Sequence, residues 1–130
     1  MSETITRMAL VAFGGACGSL ARYLVSGWAQ AWSRQSVFPF GTLVVNLVGC
    51  FLIGILSVWT FERGLITLQG RLLLIVGVLG GFTTFSAFGY ETMALFQNNE
   101  WQRALLNVLV SVGGGFVGVW LGWIVGRWGT

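Results

Sequence analysis

Four apolar stretches, parted by short polar ones, set the architecture of this chain. They cover residues 8–30, 38–61, 72–96 and 105–125. Each reaches the roughly 20 helical residues needed to cross a bilayer's hydrocarbon core. The pattern predicts an all-α protein of four transmembrane helices, with residues 1–130 forming one domain. Polar connections lie between the stretches: Trp32-Ser-Arg34-Gln-Ser36, Glu62-Arg63-Gly64 through Arg71, and Gln97 through Arg103. Pro39, the only proline, marks the start of the second helix. Trp28, Trp32, Trp59, Trp101 and Trp128 fall near the ends of the stretches, where an interfacial aromatic belt would place them. The first apolar run outlasts a signal peptide and reads as a first span, not a cleaved leader.

The third stretch interrupts its own pattern. Between Gly77 and Phe88 it holds the Gly80–Gly81 pair, Thr83, Thr84, Ser86, and phenylalanines at 82, 85 and 88. Adjacent glycines weaken a helix, and hydroxyl side chains compete for its carbonyls. The helix is therefore expected to break or loosen here, near the membrane midplane. Irregular backbone at that depth is tolerated only where protein buries it or where it lines a polar cavity. A break there is a candidate binding or conduction site.

Composition agrees with a membrane chain: 55% of residues are hydrophobic and 8% charged. All seven basic residues are Arg, and there is no Lys, His or Asp. The net charge of +3 comes from arginines at the ends of stretches, so it speaks to topology and not to nucleic-acid binding. With four spans, Arg7, Arg63, Arg71 and Arg127 share one side and Arg34 and Arg103 the other, with Arg22 leaning towards the latter. Four against two or three is a weak bias, which leaves two readings open: one fixed orientation, or dual topology with two copies pairing antiparallel. Cys17 and Cys50 both lie in apolar stretches and read as small packing residues.

Glycine spacing suggests close helix packing. Gly114, Gly118, Gly122 and Gly126 recur every four residues, as do Gly14 and Gly18, and Gly77 and Gly81. Such faces let backbones approach where lipid removes the hydrophobic drive for association. They predict a compact and oligomeric helical assembly. The Gly14-Gly15-Ala-Cys-Gly18 cluster lacks the preceding strand and the following acid of a dinucleotide-binding turn.

Polar residues inside the spans are candidates for function, because burying them in lipid is costly. Arg22 either snorkels to the interface or anchors a pore mouth. Asn46 lies on a stripe with Thr42, Gly49 and Ile53. It either glues helices at about 0.6–2 kcal/mol or presents its amide donors to an anion. Phe82, Phe85 and Phe88 make a stripe of ordinary core spacing, yet the positive edge of a ring can face a small anion. Glu91 is either an interfacial carboxylate or part of a path, and Asn107, Ser111 and Gly115 share a stripe in the fourth span. There is no Walker motif and no carboxylate pair for acid/base work. An enzyme and an ATP-driven pump both lack their parts; hydroxyls, amides and loosened backbone suit passive permeation of a small ion.

At three motifs the chain resembles the Fluc/CrcB family of fluoride channels. They are Gly14-Gly-Ala-Cys-Gly18-Ser-Leu-Ala-Arg22-Tyr23, Gly41-Thr-Leu-Val-Val-Asn46-Leu-Val-Gly49 and Gly80-Gly-Phe-Thr83-Thr84-Phe85-Ser86-Ala87-Phe88. The resemblance keeps the order of all four stretches. It implies an antiparallel, dual-topology homodimer in the cell's inner (plasma) membrane, with two pores that passively export fluoride and confer fluoride resistance. It also implies a fluoride pathway through Phe85, Phe88, Asn46, Thr84, Ser86, Ser111 and Glu91, with Arg22 in a vestibule. Carbonyls of Gly80 and Thr83 would hold a structural Na⁺ at the dimer centre. The chain departs from the family at Ala87, Gly89 and Gly115, where hydroxyl residues are common, which puts a continuous polar track in doubt. The alternative is a small antiparallel multidrug or cation exporter, which would want an acid in the first apolar stretch, where residues 8–30 have Arg22 and none. A third reading is a non-transporting subunit of a larger complex.

Overall fold

In the computed structural model residues 2–34 and 36–128 are described, and every regular element among them is helical. Helix α1 (Glu3–Trp32) is followed by α2 (Phe40–Ser57), which runs on through a π-helical turn, Val58–Glu62. A short α3 (Leu68–Arg71) leads into a π-helical stretch, Leu72–Leu79, and then α4 (Gly80–Phe82) and α5 (Phe85–Gln97). Helix α6 (Trp101–Arg127) completes the chain. These elements group into four spans, Glu3–Trp32, Phe40–Glu62, Leu68–Gln97 and Trp101–Arg127, each long and apolar enough to cross a membrane.

The first, third and fourth spans begin about a turn before the apolar pattern does. Interfacial water tolerates the polar side chains of the extra turn, and in the first and third spans a side-chain cap starts the helix. Ser2 accepts a hydrogen bond from the Ile5 N–H, and Thr67 accepts one from the Gly70 N–H. The second span starts at Phe40, after a proline that offers no cap of its own. Gln30 of α1 takes over that task. Its Oε1 accepts from the Gly41 N–H at 3.1 Å, while its Nε2 donates to the carbonyls of Ser36 and Phe38. One amide thus fastens the first connection to the helix that follows it. The other turns close on left-handed residues, Gly64 (φ +62°) and Asn99 (φ +59°), both types that tolerate that region. No sequence signal marks the π-helical stretches, which contain no proline.

Glycine contacts organise the bundle. A Cβ on Gly18 would lie 2.0 Å from the Val78 carbonyl oxygen, and one on Gly14 would lie 2.3 Å from that of Leu73. Gly81 meets Gly15 in the same way. On the other side of the molecule, Gly122 abuts the Phe51 carbonyl and Gly54 that of Val119. The predicted small-residue faces are therefore spent within one chain, joining the first span to the third and the second to the fourth. Large apolar residues such as Phe13, Leu24, Leu109 and Phe116 point outwards, as in a protein whose solvent is lipid.

Replacing Gly18 or Gly122 with Ala is expected to lower thermal stability in detergent by about 1–3 kcal/mol, because backbone must separate from backbone. Gly113, with nothing near its would-be Cβ, should gain up to about 1 kcal/mol from the same change. Melting curves of the three variants that coincide would contradict this packing account.

Candidate functional site

The third span leaves helical geometry at Thr83 (φ −84°, ψ 155°) and Thr84 (φ −150°, ψ 112°), both extended. The glycine pair just before them stays helical in α4. Gly81 is there to let the Gly15 backbone approach, and the threonines carry the change of direction. The Thr83 N–H still donates to the Leu79 carbonyl at 3.0 Å, and both hydroxyls bond backbone close by. Thr83 Oγ1 donates to the Leu79 carbonyl at 2.9 Å, and Thr84 Oγ1 caps α5 by accepting from the Ala87 N–H at 3.2 Å.

Asn46, from the middle of α2, completes the repair. Its Oδ1 accepts from the Thr84 N–H at 2.8 Å, and its Nδ2 donates to the Thr84 carbonyl at 3.0 Å. A carboxamide has the same donor and acceptor as a peptide group, so it pairs with Thr84 as a neighbouring strand would. The two readings of Asn46 are thus unequal in this structure: it holds backbone, and one N–H remains for anything else. The Thr84 N–H, turned to Asn46, no longer bonds to the Gly80 carbonyl four residues back, and Gly80 is exposed.

Around this clamp lies a cavity of about 440 Å³. Asn46, Gly80, Thr83, Thr84, Phe85, Phe88 and Ser111 line it, with apolar residues and Cys50 completing the wall. The Phe85 and Phe88 rings are 5.6 Å apart and tilted, and Phe85 is 83% exposed in the single chain. A second cavity, of about 340 Å³, holds Arg22, Thr42, Ala87 and Glu91 and shares Thr84 with the first. There Glu91 Oε1 accepts from Thr42 Oγ1 at 2.7 Å, while its Oε2 is buried without a protein partner. Ser86 lines neither cavity and sits 3.3 Å from Thr84 Oγ1. The residues singled out from the sequence therefore form two groups joined at Thr84, with Ser86 beside it.

One residue behind the cavity wall, Thr92, is not among the candidates that the sequence offers. Thr92 donates to the Phe88 carbonyl at 2.7 Å and accepts from Asn107, which is buried in turn. Its position one turn past Phe88 was the available signal. The departures at Gly89 and Gly115 have different settings: Gly89 faces open space, whereas a Cβ on buried Gly115 would meet the Cys50 thiol at 3.4 Å.

Residues 9–123 match the family model described as CrcB-like protein, Camphor Resistance (CrcB). The chain belongs to the CrcB family. Several relatives match over nearly the whole of this chain. A protein of Hydrogenovibrio crunogenus is 42% identical over 95% of this chain and 92% of its own. One of Geobacter metallireducens is 45% identical over 90% and 94%, and one of Thermus thermophilus 47% identical over 94% of each. All three bear the name fluoride-specific ion channel FluC. Together with the four apolar spans, membership of CrcB makes this a multi-pass membrane protein and not an enzyme.

Asn46→Leu leaves the Thr84 N–H and carbonyl without partners in an apolar setting. A loss of about 2–4 kcal/mol in thermal stability is expected, from two groups at roughly 1–3 kcal/mol each with partial relaxation. A variant melting with the wild type would show that the clamp does not hold the break.

Proposed function

We propose that this chain is the protomer of a passive, fluoride-selective channel that lets cytoplasmic fluoride leave across the plasma membrane. The observation that carries this reading is the interrupted third span, clamped by Asn46 and flanked by Phe85 and Phe88 over a largely apolar cavity. The names borne by relatives across nearly the whole length support it.

Fluoride is small and tightly hydrated, so a path for it must replace water with donors at close range. The remaining Asn46 N–H and the hydroxyls of Thr84 and Ser111 supply donors here, with the Ser86 hydroxyl behind that of Thr84. A dry wall makes each bond count for more than it would in water. The positive ring edges of Phe85 and Phe88 hold the ion laterally. Arg22, in the adjoining cavity with Glu91, draws anions to the mouth. Larger halides are refused by width and by donors spaced for a smaller ion.

The working unit is an antiparallel homodimer made by dual insertion. The glycine faces are used within the chain, while Phe85 and Gly80 remain uncovered, and the weak bias in arginine placement lets one sequence insert both ways. A structural Na⁺ fits the same geometry. The Gly80 carbonyl has lost its helical donor, Thr83 is extended beside it, and carbonyl oxygens suit a hard cation. Two facing copies would double these ligands, and Na⁺ held there would supply fixed positive charge binding the two interruptions together.

Purified protein in liposomes is expected to release fluoride and retain chloride, and Phe85→Ile to lower fluoride flux by about tenfold or more, a barrier change of ~1.4 kcal/mol. Vesicles that leak both ions equally, or a variant with undiminished flux, would contradict the reading. Exchanging Na⁺ for a large organic cation during purification should lower the dimer's melting temperature. A monomer in both media would rule out the paired assembly.

A further inference from the structure

Behind the cavity wall, four groups form a hydrogen-bond chain that runs in one direction. Ser111 Oγ donates to Asn107 Oδ1 at 3.3 Å, Asn107 Nδ2 donates to Thr92 Oγ1 at 2.9 Å, and Thr92 Oγ1 donates to the Phe88 carbonyl at 2.7 Å. The carbonyl end fixes the sense of the whole. Because the Phe88 oxygen can only accept, the Thr92 hydroxyl must give its proton there and receive one from the Asn107 amide. That turns the Asn107 oxygen towards Ser111. Asn107 is 2% exposed, so its oxygen has no water to fall back on.

The consequence lies at the cavity end. Ser111 lines the cavity, yet its proton is directed away from it, and the lone pairs of Oγ face inwards. An anion meets the wrong face of this hydroxyl until the O–H turns. We propose that Asn107 is a positioning residue that holds the Ser111 proton in reserve and competes with the permeating anion for it. This rests on the fluoride-channel reading above. The competition is finely set, since the Ser111–Asn107 contact is the longest link in the chain. When the ion takes the proton, only that link breaks, and the Asn107–Thr92–Phe88 links remain to keep the aromatic turn in place.

The position is distinct from that of Asn46. Asn46 touches both the cavity and the interrupted backbone. Asn107 lines neither of the two cavities described above and acts through Ser111.

The test is the fluoride dependence of current through wild-type and variant channels in planar bilayers. Asn107→Leu, nearly isosteric, removes the competitor. It is expected to lower the half-saturating fluoride concentration roughly fivefold, the ratio that one neutral hydrogen bond supports. In a Ser111→Ala background the same change should produce no further shift. Thr92→Val cuts the chain beyond Asn107 and leaves the Ser111 acceptor in place, so its half-saturation should stay within about twofold of wild type. An unchanged or raised half-saturation in Asn107→Leu overturns the proposal. So does an equal shift with and without Ser111, or a Thr92→Val shift as large as that of Asn107→Leu. Wild-type channels that carry no fluoride would overturn the channel reading itself, whereas conducting wild type without these shifts removes this inference alone.

Discussion

A backbone that leaves its helix in hydrocarbon needs new partners for both its N–H and its carbonyl, and at Thr84 one side chain supplies both. The Asn46 carboxamide meets the two Thr84 groups at 2.8 and 3.0 Å. Without it, an extended residue inside an apolar span would carry two unsatisfied polar groups at several kcal/mol. The extended pair in turn frees the Gly80 carbonyl, redirects α5 and sets Phe85 and Phe88 beside the cavity. Each candidate property of the site follows from that one pairing across two spans.

Placing Asn46 to within hydrogen-bond reach of Thr84 requires rigid neighbours, and glycine provides them. Gly49, one turn from Asn46, would place a Cβ 2.1 Å from the Thr83 side chain, so α2 lies directly against the interruption. Gly14, Gly18 and Gly81 bring the first span onto the third, and Gly54 and Gly122 lock the second to the fourth. Spending small residues inside the chain has a further effect. The broken face, with Phe85 largely exposed, is left for a neighbour of another kind. At the end of the bundle a different fastening works: Glu62 accepts from Trp123 and Arg127, whose guanidinium also covers the Trp123 ring at 3.9 Å.

Much of this was legible in residue order. Four apolar stretches of sufficient length gave four spans, because hydrocarbon thickness leaves few alternatives. The Gly-Gly-Phe-Thr-Thr-Phe-Ser run pointed to the site, since hydroxyls and glycines cluster there against an apolar background. Which residues would turn the chain was not legible. Glycine's low helix propensity favoured Gly80–Gly81, but both stay helical, Gly81 packed against the Gly15 backbone, and the threonines took the turn. Nor does sequence reveal partner choice. Asn46 could have glued helices or faced an ion, and only three-dimensional placement opposite Thr84 assigns its amide to backbone. The links from Asn107 to Thr92 and from Thr42 to Glu91 join residues on different spans, and a one-dimensional pattern carries no register between spans. The π-helical stretch Leu72–Leu79 left no trace in its composition.

The central claim is that Thr84 is non-helical yet fully hydrogen-bonded through Asn46. Residue-resolved amide hydrogen exchange on the protein in lipid nanodiscs addresses it directly. The account predicts a Thr84 amide protected like those of α2, with protection lost in Asn46→Ala while α6 amides are unaffected. A Thr84 amide exchanging as fast as those of the Asn98–Asn99 turn in the wild type would contradict it, as would protection that survives removal of the Asn46 side chain.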